Sequence, residues 1–215
     1  MIRAIPLNHA GGFYMYTVHF PKLQKLCNGY SGLNDYLGSL FTDCPDAHFN
    51  NGPRSSSLKF SLNDVDLHQV TGHPMSSYAR AGLEQYKDRF KQAHPQVQNF
   101  LLEQDGNTVA LEVPIWLNPS EMDGYNYLFK DTRPLTGHID ILKIEEGKIW
   151  IWDYKPKAHK EEYASTQVFF YALMLSKRTG IPLEKFRCGY FDSSYAFVFE
   201  PRLGLIKRKS LSEFI

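Results

Sequence analysis

Cysteine is scarce in this chain: three in 215 residues, at positions 27, 44 and 188. An odd, widely spaced set is neither a disulfide framework nor a zinc signature. It reads as free thiols in a reducing compartment. Three cysteines cannot supply a four-thiolate iron–sulfur cluster, so no such cofactor is expected. Long hydrophobic runs are also missing: no stretch of about 18 apolar residues occurs, so no membrane-spanning helix is expected. The opening Met1-Ile2-Arg3-Ala4-Ile5-Pro6 has no long apolar core of the kind a secretory signal carries. The expected location is therefore intracellular and cytoplasmic, or the host cytoplasm if the source is a virus. Charge of one sign is not in excess. Lys and Arg number 24 against 23 Asp and Glu, for a net charge of +1, so no global basicity advertises nucleic acid. Repeats, low-complexity segments and a Gly-Lys-Ser/Thr phosphate loop are absent too, which leaves no sign of a motor within the chain.

What is present is an ordinary globular composition, 43% hydrophobic and 22% charged, with aromatics high at 14%. The length suits one large domain with an elaboration. Residues 1–70 are rich in Gly, Asn, Ser and Tyr and read as an N-terminal accessory region. Within it, residues 13–20 suggest a strand and Leu33–Phe41 a short helix. Residues 71–215 read as the core. There the expected order is a helix from Ser76 or Ser77 to about Gln92, stopped by Pro95. A hairpin of Val97–Glu103 and Thr108–Leu117 follows, then a polar loop over Asn118–Arg133. Strands Leu135–Ile144 and Lys148–Tyr154 flank a Glu-Glu-Gly turn. A helix over Glu161–Lys177 and closing strands Phe186–Phe191 and Ala196–Glu200 complete the series. Local basic patches are Lys155, Lys157, His159 and Lys160, and the tail Lys207-Arg208-Lys209.

The informative stretch begins at Gly137-His138-Ile139-Asp140 and ends at Asp153-Tyr154-Lys155. Asp140 and Asp153 lie at similar distances from the turn at Glu146, so an antiparallel pairing can set them side by side. With a strand period of two, Asp153 and Lys155 project together while Tyr154 turns away, and the Tyr154 carbonyl can face a metal. Two carboxylates suit a hard divalent cation, and an ammonium beside them can neutralise developing charge on a phosphate. Asp153 follows the wholly apolar Ile149-Trp150-Ile151-Trp152. Charges at the end of a buried strand are costly unless used. A helix carrying Gln167 and Tyr171, one turn apart on one face, comes next.

These three motifs, in this order, resemble the PD-(D/E)XK nuclease superfamily, and most closely its RecB-like exonuclease branch, over about residues 76–200. The resemblance implies an α/β (α+β) restriction-endonuclease-like core, a mixed central sheet flanked by helices, here with the N-terminal elaboration. It implies a deoxyribonuclease dependent on Mg²⁺ or Mn²⁺, acting on single-stranded DNA or duplex ends, as a homo-oligomer or beside a helicase or recombination partner. Asp140, Asp153 and the Tyr154 carbonyl would be the metal ligands and Lys155 catalytic, with Gln167 and Tyr171 positioning DNA or supporting the site. The family also places an acid or a His on the first core helix. Glu84 is the first choice for it, with His73 and Glu112 as competitors. A non-catalytic nucleic-acid-binding or assembly module on the same fold is the alternative reading.

Overall fold

Alternating and continuous apolar runs build one sheet, and two helical layers cover it. The computed structural model describes residues 1–9 and 12–206, so the basic tail run 207–209 lies outside the described residues. In chain order the elements begin with strands β1 (Ile2–His9) and β2 (Gly12–His19), then helices α1 (Phe20–Leu26), α2 (Ser31–Ser39) and α3 (Asp46–Asn50). Strand β3 (His68–Thr71), helices α4 (Pro74–Gln85) and α5 (Ala93–Gln104), strand β4 (Thr108–Leu117) and helix α6 (Tyr125–Phe129) follow. The remainder is β5 (Leu135–Glu145), β6 (Lys148–Tyr154), α7 (Ala164–Thr179), β7 (Phe186–Phe191) and β8 (Tyr195–Phe199).

Among the described residues the eight strands form one mixed sheet, ordered β1-β2-β4-β5-β6-β7-β8-β3. Only β6 and β7 run parallel, and α7 is the crossover between them. A parallel pair needs a crossover of this length. The fold is therefore α/β, as the resemblance implied. Strands β1 and β2 extend this sheet rather than forming a separate one.

The two faces carry separate cores. Ile139, Leu142, Ile149 and Ile151 pack with Val168, Phe169 and Ala172 of α7. Leu111, Ile141 and Trp152 pack with Met75 and Ala79 of α4 and Val97 and Leu101 of α5. Gly82 lets α4 and α5 approach: a Cβ there would stand 3.0 Å from Phe100 Cβ and 3.1 Å from Val97 Cα.

Three expectations need correction. The helix starting near Ser76 is α4. It is capped by His73, whose ring accepts from the Met75 N–H, and it ends at Gln85. Residues 97–103 are not a strand but the body of α5. Pro95 does not stop a helix; it occupies the first turn of one, where its missing N–H leaves no bond unmade. Val97, Phe100 and Leu101 then fall at helical spacing on the buried side. The 118–133 loop contains a 3₁₀ turn at Pro119–Glu121 and α6, with Tyr125 buried and its hydroxyl donating to the Arg133 carbonyl at 2.6 Å.

Candidate metal and phosphate site

Strands β5 and β6 part company at the two aspartates. Their ladder ends at Ile141↔Trp152, one position short of Asp140 and Asp153. Beyond it, β6 follows β7 through Asp153↔Tyr190 and Tyr154↔Phe191, and the Lys155 N–H donates to the Phe191 carbonyl at 2.9 Å. Strand β5 instead stays with β4 as far as Leu117↔Leu135. A fork opens between them. Asp140 Oδ2 accepts from the Tyr154 N–H at 3.1 Å, satisfying a backbone donor that the ladder no longer serves.

A third carboxylate stands in the same row. Leu111↔Ile141 and Val113↔Ile139 bracket Glu112 and Asp140, so these two lie opposite each other. Both strands change face here. Ala110 and Val113, three residues apart, pack on the α7 side, and so do Ile139 and Leu142. Glu112 makes the adjustment with φ +50°, a left-handed conformation that is uncommon for a residue with a side chain. Backbone strain of this kind gathers at functional sites.

Helices from both faces reach the fork. From α7, Gln167 Nε2 donates to Asp153 Oδ1 at 3.0 Å and to the Tyr171 hydroxyl at 2.8 Å. Its Oε1 accepts from Lys155 Nζ at 3.0 Å. From α5, Gln98 donates to Glu112 Oε1 at 2.6 Å, and His94 Nε2 lies 3.9 Å from Asp140 Oδ2. The N-terminal region adds Arg54, which bridges to Thr136 and donates to the Tyr14 hydroxyl at 2.6 Å.

Burial, with crowding of like charge second to it, sets the electrostatics. Burial first, then Asp153 and Glu112, push the Asp140 carboxyl well above its ordinary range, against Lys155 and the Tyr154 N–H. Burial also lifts Glu112 to about 7, with Asp153 adding to it and Gln98 and Arg54 opposing. Burial would depress Lys155, but Asp153 and Asp140 outweigh it and hold the ammonium above its usual value. Burial lowers His94, with Asp153 raising it and Lys155 lowering it. Asp153 is 1% exposed, and its Oδ2 is ion-paired with Lys155 Nζ at 2.7 Å. Several acids facing one another, all oxygen donors, are what a hard divalent cation would relieve, so the residues fit such an ion.

The structure therefore brings Asp140, Asp153, Lys155, Gln167 and Tyr171 together, with the Tyr154 carbonyl between Asp153 and Lys155. The Tyr154 ring turns away to pack on Phe191 and His94. Glu84 is not brought in: it is exposed on α4 and pairs with nothing in the fork. Its helix packs on α5 and β8 instead. His73 caps α4 with its ring against Trp152, and its charged neighbours are Lys143 and Glu145, toward the opposite end of β5. Glu112 is the acid that the geometry supplies, and His94 is the helical residue. A strand over 97–103 gives no reason to place His94 and Gln98 at the fork; the helix α5 does. The signal that reveals them is Pro95 opening a helix whose apolar residues recur at 97, 100 and 101. Arg54 sits in a loop and carries no sequence pattern.

A pocket of about 240 Å³ adjoins Lys155 and Gln167, lined also by Ser56, Lys59, Lys160 and Tyr163. No helix among the described residues is long and apolar enough to cross a membrane. The family model of the PD-(D/E)XK nuclease superfamily matches residues 53–207. That span includes Arg54 and runs through all three motifs. No curated protein and no solved structure matches the chain significantly.

Proposed function

The chain belongs to the PD-(D/E)XK nuclease superfamily, and on that footing we propose that it is a Mg²⁺- or Mn²⁺-dependent deoxyribonuclease of exonuclease type. The observation that carries this reading is the fork itself: Glu112, Asp140 and Asp153 in one row across β4, β5 and β6, with Lys155 beside them. Asp140, Asp153, the Tyr154 carbonyl and Glu112 would hold the cation. When bound, it supplies Lewis acidity, polarising the phosphate and lowering the pKa of a coordinated water. Lys155, kept protonated by its carboxylate neighbours, orients the nucleophile and offsets charge on the phosphorus oxygens. Gln167 holds Lys155 and Asp153 at a fixed separation, and Tyr171 supports Gln167 from below. Lys59 and Lys160 line the adjoining pocket together with Glu161 and Glu162, and the two lysines would meet a neighbouring backbone phosphate there.

Residues 1–70 act in this reading as an accessory layer that shapes the cleft, through Arg54 above all. The substrate is the end of a DNA strand, and a helicase, a recombination protein or further copies of the chain would serve as partners.

The test is incubation of purified protein with linear and circular, single- and double-stranded DNA, with Mg²⁺, Mn²⁺ or EDTA. Lys155→Ala is run alongside. Degradation of linear substrates that needs metal and vanishes in the variant supports the proposal, and sparing of circles identifies the exonuclease. Folded wild-type protein that cuts nothing with Mn²⁺ would leave the non-catalytic binding module as the better reading.

A further inference from the structure

A second cluster of ligating side chains lies away from the fork, in the part of the chain that precedes the family match. His9 ends β1, Cys44 lies just ahead of α3, and Asp46 is the first residue of α3. His9 Nε2 is 2.9 Å from Asp46 Oδ1, and one donor atom from each of the three residues falls within 4.8 Å of the others. We propose that His9, Cys44 and Asp46 form a zinc site, with a water as fourth ligand.

The donor set argues for this metal. A thiol sulfur and an imidazole nitrogen do not attract Mg²⁺ or Ca²⁺, which take oxygen. One sulfur, one nitrogen and one carboxylate oxygen match the borderline softness of Zn²⁺. Bond lengths to zinc place tetrahedral donors about 3.3–3.8 Å apart, so modest movement of the 44–46 segment would complete the geometry. The fourth position has access to solvent: His9 is fully buried, but the Asp46 side chain is 65% exposed. On binding, the Cys44 S–H bond breaks, its proton passes to solvent, and the sulfur pairs with the metal.

The support around His9 is that of a ligand. Its other nitrogen, Nδ1, lies 2.8 Å from His138 Nε2, and its ring stacks on Phe49 at 4.2 Å. Metal-bound histidines almost always donate their second N–H to an acceptor, and a His138 Nε2 without its proton would be that acceptor here. His138 is itself stacked on Tyr14, with ring centroids 3.7 Å apart, and stands two residues before Asp140 on β5. Zinc here would tie the end of β1 to the segment entering α3, and through His138 to the strand that carries the fork. The inference does not depend on the nuclease reading, because its ligands share no residue with the fork.

The test uses untagged full-length protein, stripped with chelator and titrated with Co²⁺. The expected result is a thiolate-to-cobalt charge-transfer band with the intense visible bands of a four-coordinate ion, bleached by Zn²⁺ but not by Mg²⁺. The charge-transfer band should vanish in Cys44→Ser and persist in Asp153→Asn, which alters the fork alone. Asp46→Ala should weaken Co²⁺ binding by at least about tenfold. Wild-type protein that shows no thiolate band overturns the proposal whether or not the variants fold. So does a band that survives Cys44→Ser.

Discussion

A Cβ on Gly137 would stand 2.4 Å from Cε1 of Tyr171. The glycine of the first motif and the tyrosine of the third therefore occupy one another's space, and α7 can settle on β5 only because position 137 has no side chain. Tyr171 in turn accepts from Gln167, which holds Asp153 and Lys155. Gly137→Ala is expected to destabilise the protein by about 1–3 kcal/mol through overpacking. Urea denaturation measures it. Combining it with Tyr171→Ser should recover part of that loss, because the two sites are in contact and their effects will not add. Full additivity would show that the ring moves aside freely.

Gln167→Leu separates positioning from chemistry. The variant keeps the bulk but removes the acceptor for Lys155 and the donor to Asp153. The expected loss is mainly in kcat, on the order of tenfold, with a shifted pH profile. Lys155→Ala should lose at least about a hundredfold. A rise in KM with kcat unchanged, measured by steady-state cleavage, would assign Gln167 to DNA binding instead.

Glu112 and His94 should matter where Glu84 does not. Glu112→Gln and His94→Ala alter groups at the fork and are expected to reduce metal-dependent cleavage by about tenfold or more. Glu84→Ala removes an exposed carboxylate and should change stability by no more than about 0.5 kcal/mol, with cleavage unaltered. Assays of the three variants at one metal concentration decide the matter. Impairment confined to Glu84→Ala would restore the first assignment.

The fork should give the metal-free protein an unusual pH dependence. Burial, with Asp153 adding to it, raises Glu112 from 4.5 to about 7 in the folded chain. Between those values the folded state keeps a proton that the unfolded state has lost, so stability falls as pH rises through this window. Asp140, also raised, acts in the same direction. In EDTA, the Tm of the wild type relative to Glu112→Gln should drop between pH 5 and pH 8. His73, His94 and His138, lowered by burial, act in the opposite direction and are common to both proteins. For each kcal/mol of lost stability the drop is about 2–4 °C in a chain of this size. Glu112→Gln should flatten the slope, and Mg²⁺ at pH 8 should restore the lost stability by binding the folded state. A wild-type Tm that does not fall relative to that of Glu112→Gln from pH 5 to pH 8 in EDTA would contradict the shift.

Local pattern by itself determined the strands around the Glu-Glu-Gly turn, the α7 helix, expected over Glu161–Lys177 and found at Ala164–Thr179, and the order in which Asp140, Asp153, Lys155, Gln167 and Tyr171 occur. Those features follow from period-two and period-3.6 apolar spacing and from turn chemistry, which act between near neighbours. Residues 97–103 were not legible in the same way, because a short apolar run fits a strand or a helix equally, and packing against Gly82 selects the helix. Only the tertiary structure decided that β5 and β6 separate at the aspartates, that Glu112 adopts φ +50° opposite Asp140, and that His94 and Gln98 of α5 and Arg54 of the N-terminal region arrive from two other segments. It alone set His9 beside Cys44 and Asp46, and through His9 beside His138, 129 positions away. Such meetings are fixed by which faces of the sheet are covered and where its ladder ends, and no spacing along the chain encodes them.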